Sequence, residues 1–143
     1  MQDSFLNVFL KHNILSINKQ NVNGLSTAVS FYRGGGNLLF DNCSFVNNTS
    51  TAKGLAGAFY SEGMEENYLY SYFKECKFYE NSAYSTGGLF FSSSFIYMLM
   101  CLFKSNFGEN VADNLIAIEN TLLFLRKIEF IQEKIKNISI ICK

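Results

Sequence analysis

Three copies of one short phrase recur along this chain and constrain its fold more than any other feature. Each copy reads Cys-x-Phe-x-x-Asn, and the copies begin at Cys43, Cys76 and Cys101. A weaker copy begins at Ile128, 27 residues after the third, and another segment begins at Leu15, 28 residues before the first. Self-similarity at such a period is typical of proteins built from units that pack on their neighbours. The chain is therefore predicted to be an array of stacked repeats.

Each repeat contains three short segments with strand character, separated by turns rich in Asn, Gly, Ser and Asp. One is the phrase itself; the second is a bulky run before it, at 38–40, 70–73, 95–98 and 122–125. The third precedes that run, at 57–61, 87–92 and 114–118, and glycine opens it twice. Three short strands per period predict an all-β fold, a parallel β-helix of about five coils. Residues 1–143 form one segment of such a solenoid.

Alternation along a strand places the Cys and the Phe of each phrase on the inward face. Coils stack about 4.8 Å apart, so equivalent side chains are expected to form columns, with the Phe rings stacked. The asparagine that ends each phrase lies at a turn, where it tolerates the left-handed region and its amide can bond the next coil. The predicted columns are Cys43, Cys76, Cys101 and Ile128; Phe45, Phe78, Phe103 and Phe130; and Asn48, Asn81 and Asn106. The Gly35-Gly36 and Gly87-Gly88 pairs are interpreted as turns.

Two alternatives to this architecture remain open at the level of sequence. An antiparallel meander or sandwich has a similar number of strands, although antiparallel pairing places unlike positions opposite each other and does not explain recurring residue identity. Residues 125–136 can also be drawn as an amphipathic helix, with isoleucines on one face, that caps the end of the solenoid.

Composition excludes several functional classes. The chain has 143 residues, 48% of them apolar, and a net charge of +0, which is typical of one folded domain. Its lysines are scattered, which argues against binding of nucleic acid. The apolar stretch 89–103 is shorter than the roughly 20 residues that a membrane-spanning helix needs. The first residues lack the basic start of a signal peptide, so any export signal is expected outside this segment.

No group of residues predicts catalysis, a metal site or a cofactor. The cysteines of the phrase recur for positional reasons, so we interpret them as buried free thiols rather than disulfides or zinc ligands. His12 is the only histidine, and the three aspartates Asp3, Asp41 and Asp113 are far apart in the repeat. The acidic loop residues Glu62, Glu65 and Glu66 are read as solvated, with a weak cation site as the alternative.

The outer face of the bulky runs carries the candidate interaction site. If Phe40, Phe73, Met98 and Leu125 point inward, the preceding residues point outward and form an apolar column, Leu39, Tyr72, Tyr97 and Phe124. Such a column either stabilises the sheet or provides an interface. Asn47 and Asn137 begin sequons for N-glycosylation, and Asn47 is a better acceptor than Asn48, whose amide belongs to the predicted ladder.

The combination of Phe-x-x-Asn with Gly-Gly resembles the repeats of the chlamydial polymorphic outer-membrane proteins, and similar repeats occur in large surface proteins of ciliates and other protists. The resemblance covers residues 37–133 and rests on Phe45 to Asn48, Phe78 to Asn81, Phe103 to Asn106 and Gly87-Gly88. Asn114 replaces a glycine and Glu133 replaces the last asparagine. The resemblance implies a right-handed β-helix used for adhesion and display.

These observations predict a noncatalytic structural or adhesion module that presents a binding face. The alternatives are a fragment of a carbohydrate-active, pectin-lyase-like β-helix whose catalytic coils lie elsewhere, and an intracellular scaffold subunit. The expected partners are other protein chains or flanking coils, met end-on or through the outer column, with carbohydrate as a further possibility. The segment 137–141 is read as the first strand of another coil, so the chain is expected to belong to a longer protein or an assembly. The sequence leaves the compartment undetermined between the cell surface and the cell interior.

Overall fold

A computed structural model describes residues 5–16, 19–20, 28–32, 35–50, 53–64, 68–118, 120–131 and 138–141. These residues form nineteen strands, and within the described ranges there is no helix. The strands follow one another in groups that repeat along the chain, and each group makes one coil.

The coils consist of the following strands. The first contains β1 (Phe5–Lys11), β2 (Ile14–Ser16), β3 (Lys19–Gln20) and β4 (Val29–Tyr32). The second contains β5 (Gly35–Asp41), β6 (Ser44–Val46), β7 (Thr49–Ser50) and β8 (Phe59–Glu62). The third contains β9 (Leu69–Lys74), β10 (Lys77–Tyr79), β11 (Ser82–Ala83) and β12 (Leu89–Ser92). The fourth contains β13 (Ser94–Leu99), β14 (Leu102–Lys104), β15 (Phe107–Gly108) and β16 (Leu115–Ile118), and the fifth contains β17 (Leu122–Arg126), β18 (Glu129–Ile131) and β19 (Ile138–Ile141).

Equivalent strands of successive coils pair in parallel and form four sheets. Sheet 1 contains β1, β5, β9, β13 and β17; sheet 2 contains β2, β6, β10, β14 and β18; sheet 3 contains β3, β7, β11 and β15; sheet 4 contains β4, β8, β12, β16 and β19. The parallel pairing confirms the β-solenoid and excludes the antiparallel meander. The prediction of three strands per coil was incomplete, because the strands of sheet 3 have two residues each and are too short to show alternation.

The number of coils differs slightly from the prediction of about five. Three turns, from β5 to β16, are described in all four of their strands and have a neighbouring coil on each side. The first and fifth coils flank them and are described only in part. Strand β19 pairs with β16 in sheet 4, so residues 138–141 continue the array after the segments 57–61, 87–92 and 114–118 as the sequence predicted. In the coil numbering given above, β19 is the last strand of the fifth coil.

Left-handed residues make the corners on both sides of sheet 2. The residue before each cysteine of the phrase has a φ near +50°: Asn42, Glu75 and Met100. The residue before each asparagine does the same, with a φ of 53° at Asn47, Glu80 and Ser105. The prediction that the asparagines themselves adopt this conformation was wrong by one position. The asparagine side chains point into the coil, where their amides hydrogen-bond one another, and the exposed residue before each asparagine makes the corner.

The predicted asparagine ladder is present, and every donor and acceptor of the Asn81 side-chain amide, at its centre, has a hydrogen-bond partner. The Asn81 Nδ2 donates to the carbonyl of Phe45 (2.9 Å) and to the Oδ1 of Asn106 (3.0 Å). Its Oδ1 accepts from the side chain and the backbone N–H of Asn48, at 2.8 and 3.1 Å. A buried amide with all of its donors and acceptors paired avoids the cost of desolvation. The ladder continues to Asn114, whose Oδ1 accepts from the Nδ2 of Asn106 at 3.0 Å.

Aromatic columns fill the interior. The Phe column stacks with ring centroids 4.9 Å apart between Phe45 and Phe78, 4.7 Å between Phe78 and Phe103, and 5.1 Å between Phe103 and Phe130. A second stack joins Phe40 to Phe73 at 4.8 Å. These spacings match the separation of neighbouring parallel strands. The predicted inward face of the phrase is therefore confirmed.

The weak copies of the phrase gave one correct register and one error. Phe130 pairs with Phe103, as the copy at Ile128 predicts. Leu15 pairs with Phe45 rather than lying at the cysteine position, so the register of the first coil was wrong by two residues. Residues 122–126 and 129–131 form strands rather than the alternative helix, and 132–136 lie outside the described residues.

The two glycine pairs have different roles. A Cβ on Gly87 would lie 2.1 Å from the carbonyl oxygen of Asn81, and one on Gly88 would lie 2.0 Å from that of Asn114. Both are tightly enclosed by backbone in the bend before β12. Gly35 and Gly36, in contrast, lie inside β5, so their assignment to a turn was wrong.

Candidate interaction face

The predicted apolar column lies in register on the outer surface of sheet 1. Leu39 pairs with Tyr72, Tyr72 with Tyr97, and Tyr97 with Phe124. Their exposed fractions are 36%, 41%, 39% and 57%. Phe40, Phe73 and Met98 are fully buried beside them, whereas Leu125, in the fifth coil, is 38% exposed. We call these four residues, together with Phe9, the central column.

Sequence reasoning missed residues that widen this surface. Phe9 pairs with Leu39 and is 60% exposed, so it extends the central column into the first coil. Two flanking columns lie two residues to either side. The first column is Asn7, Asn37, Tyr70, Phe95 and Leu122; the third column is Lys11, Asp41, Lys74, Leu99 and Arg126. The three columns together form what we call the open face, and period-2 alternation within each strand was the signal that could have found it.

The central column of the open face is apolar, the first column is polar at Asn7 and Asn37 and apolar from Tyr70 onward, and the third column carries the charges. Tyr70 and Phe95 stack with centroids 4.9 Å apart and planes 8° apart, while Tyr72 and Tyr97 are tilted at 6.2 Å. In the third column the carboxylate of Asp41 lies 3.7 Å from the Nζ of Lys11 and 4.0 Å from that of Lys74. These exposed pairs contribute little to stability. Their consequence is that the charge of the face is concentrated along one edge.

Sheet 4 also carries apolar outward residues, but the chain covers them itself. Tyr60 and Phe90 stack at 5.3 Å, and both are buried along with Ile116. They pack in a second hydrophobic cluster with residues of the segments that precede the strands, among them Ala56 and Ala112. A sheet surface of the same apolar character is thus closed on one side of the solenoid and open on the other.

The phrase cysteines are free, buried thiols, as their position predicted. Each Sγ donates to backbone carbonyls, for example from Cys76 to Phe40 (3.3 Å) and to Lys74 (3.4 Å). The contact with the Cys101 thiol and burial raise the pKa of Cys76, and burial raises the pKa of Cys43. Protonated thiols are poor nucleophiles and metal ligands, which applies to Cys43 and Cys76. The pKa of Cys101 is lowered by its contact with the Cys76 thiol, and its Sγ is buried with two backbone carbonyls as partners. Cys142 lies outside the described residues.

The remaining polar candidates do not converge on one site. Among the described residues, His, Cys, Asp and Glu form no group of three that could hold a metal ion. His12 hydrogen-bonds Asn42 at 3.1 Å between Nδ1 and Nδ2, and Glu62 accepts from the hydroxyl of Tyr60. Glu65 and Glu66 lie outside the described residues. Residues 89–103 form strands, and the described part of the chain contains no helix of the length and hydropathy that spanning a bilayer requires.

The structure separates the two overlapping sequons. Asn47 is exposed at a corner, whereas Asn48 is buried with its amide in the ladder. Only Asn47 of this pair is positioned to accept a glycan. Asn137 lies outside the described residues.

Comparison of the chain with models of protein families, with curated proteins and with solved structures returned no match.

Proposed function

We propose that this chain is a noncatalytic structural or adhesion module whose open face binds another protein. The observation that carries the proposal is the contrast between sheets 1 and 4. The apolar outer residues of sheet 4 are buried by the chain's own segments, while Tyr72, Tyr97 and Phe124 of sheet 1 remain exposed. Contiguous exposed apolar surface of this kind favours a protein interface.

Ring geometry favours a protein partner over carbohydrate on this face. Sugars bind proteins by lying on free aromatic faces. Tyr70 and Phe95 stack face to face within 8° of parallel, so each ring covers a face of the other. Their edges and the aliphatic side chains beside them offer the mixed surface that another protein packs against.

Photo-crosslinking tests the proposal in the cells that produce the protein. Benzoylphenylalanine replaces Tyr97 in one sample and Phe107 in a control, because Phe107 is 60% exposed but lies on sheet 3. We expect a defined protein adduct from position 97 at a yield several-fold above that from position 107. Equal yields, or an adduct at position 97 whose added mass is carbohydrate by mass spectrometry after proteolysis, would contradict the proposal. Turnover of acidic polysaccharides with calcium would favour the carbohydrate-active alternative instead.

The intracellular scaffold is a second candidate, and the three free thiols favour it. Cys43, Cys76 and Cys101 stay unbridged, as is usual for proteins of reducing compartments. Localisation by fractionation, together with the glycan state of Asn47, separates this candidate from a surface adhesin. A glycan on Asn47 would rule out the scaffold.

A further inference from the structure

We propose that a second copy of this chain occupies the open face, related by a two-fold axis that runs parallel to the solenoid. This inference rests on the binding role proposed above and names the partner. In such a dimer each coil meets the same coil of the other copy, and the strands of the two sheets run in opposite directions. The central column then faces itself, and the first column of one copy faces the third column of the other.

The residues on the face are complementary under this symmetry. Tyr70 meets Lys74 of the other copy, so the Lys74 ammonium can donate to the Tyr70 hydroxyl at the exposed edge of the ring. Phe95 meets Leu99, and the Asn37 amide meets the Asp41 carboxylate. In the centre Tyr72 and Tyr97 pack against their own equivalents. Every cation of the third column therefore receives an uncharged side chain.

The charges argue against the other face-to-face arrangement. A two-fold axis along the strands would reverse the order of the coils, so that Lys74 meets Lys74 and Lys11 meets Arg126. Like charges brought together in a partly dried interface repel each other. When all five coils overlap, the pattern of the third column therefore favours the axis parallel to the solenoid. An arrangement with reversed coils that is shifted by one coil would place Lys74 opposite Asp41, but Tyr97 would then meet Phe9 rather than Tyr97, which the trapping experiment below distinguishes.

The size of the open face is close to that of a small specific interface. The five strands of sheet 1 have 7, 7, 6, 6 and 5 residues, in the order β1, β5, β9, β13 and β17. At about 4.8 Å between strands and about 3.3 Å per residue for about six residues, the face measures roughly 24 by 20 Å, which is about 480 Å² per copy. Two copies bury about 960 Å², close to the roughly 1,000 Å² that separates specific interfaces from weak, transient ones. We therefore expect a reversible dimer.

Disulfide trapping tests the symmetry directly. The background variant is Cys142→Ser, in which the three remaining native cysteines, Cys43, Cys76 and Cys101, are all buried. Tyr97→Cys lies on the central column and is expected to form a disulfide-linked dimer with itself under mild oxidation. Tyr70→Cys alone is not expected to form a disulfide-linked dimer, because position 70 does not face itself. A mixture of Tyr70→Cys and Lys74→Cys is expected to form a dimer of one chain of each variant. Phe107→Cys, off the face, is the control for random collision. Self-linkage of Tyr70→Cys at a rate above that control would overturn the proposed axis.

Sedimentation gives a second, independent readout. The unmodified chain is expected to sediment with twice the mass of one chain at tens of micromolar, and Tyr72→Lys is expected to return it to the monomer because two lysines would meet on the axis. Phe107→Lys is the matched control and should leave the dimer intact. Circular dichroism verifies that both variants fold. A monomeric unmodified chain would refute the dimer; if position 97 still captured a different protein, the proposed binding function would survive that result.

Discussion

At the scale of single residues, Phe78 is the centre of the core. Its ring is fully buried, lies between Phe45 and Phe103, and contacts the edge of Phe73 at 5.8 Å. We expect Phe78→Ala to lower the free energy of unfolding by about 3–5 kcal/mol through lost stacking and a cavity. Its exposed neighbour Lys77 provides the control, because Lys77→Ala should change that free energy by less than about 0.5 kcal/mol. Equal losses in thermal melts would contradict the inward assignment.

Ser71 is the one described side chain whose removal should improve the fold. Its hydroxyl is buried without a hydrogen-bond partner, and its register neighbours Leu38 and Ile96 are apolar. We expect Ser71→Ala to raise the free energy of unfolding by about 1 kcal/mol, because the variant no longer buries an unsatisfied group.

The control for Ser71 is Ser94, which is also buried but whose hydroxyl donates to the carbonyl of Ser92 at 2.8 Å. Ser94→Ala should lower stability in the same urea titration. A loss from both variants would show that the Ser71 hydroxyl has a stabilising partner.

Cys76 should make stability dependent on pH. Its pKa is raised in the folded protein by the Cys101 thiol and by burial, so the folded state keeps a proton that the unfolded state loses above about pH 8.5. The contribution of this thiol to the free energy of unfolding is therefore fully present below that pH. Above it the contribution decreases by about 1.4 kcal/mol per pH unit. Because the same contact lowers the pKa of Cys101, both thiols of the pair are removed in the comparison: the stability difference between the unmodified chain and the double variant Cys76→Ala, Cys101→Ala should shrink accordingly between about pH 8.5 and 10. A constant difference in urea titrations would show that the folded thiol ionises normally.

At the scale of elements, the corner that carries Asn81 joins three coils. Asn81→Leu keeps the approximate volume but removes four hydrogen bonds, two to Asn48, one to Phe45 and one to Asn106. Because the groups left behind are buried, we expect a loss of at least about 3 kcal/mol. Asn110→Leu, at an exposed site, should cost less than about 0.5 kcal/mol. Calorimetry showing similar losses would mean that the ladder contributes little.

At the scale of the whole molecule, stacking should make the middle coils the most stable. The inward residues Ile96, Cys101 and Phe103 are buried, whereas Leu123 and Phe130 of the fifth coil are only half-buried. Local opening depends on such contacts. Hydrogen exchange should therefore be at least about tenfold slower in β9 and β10 than in β17 and β18, after correction for intrinsic rates. Uniform protection would indicate that the solenoid opens only as one unit.

Recurring residue identity made most of this architecture predictable. Cys, Phe and Asn recur because parallel coils place like opposite like, so the phrase revealed both the pairing and the inward columns. The first coil lacks these residues, and for this reason its register was wrong by two positions. The covering of Tyr60 and Phe90 by Ala56 and its equivalents depends on where a turn folds back, which local periodicity does not record. The repeat also predicted that Asp41 shares a column with Lys74, Leu99 and Arg126, which the register confirms. The first column was missed because its residues vary in chemistry from coil to coil.

The asparagine ladder also gives the solenoid an electrical direction. The amide–amide bonds all run in one direction: Asn48 donates to Asn81 in the next coil, Asn81 donates to Asn106 in the coil after that, and Asn106 donates to Asn114 within its own coil. Aligned dipoles polarise one another, so each rung strengthens its neighbours in a medium of low dielectric constant. Reversing a single amide would place two donors face to face, and the column therefore resists any flip of one rung alone. Asn114 supplies the acceptor for Asn106 from within the fourth coil, so the bonds between the four amides share one orientation along the solenoid.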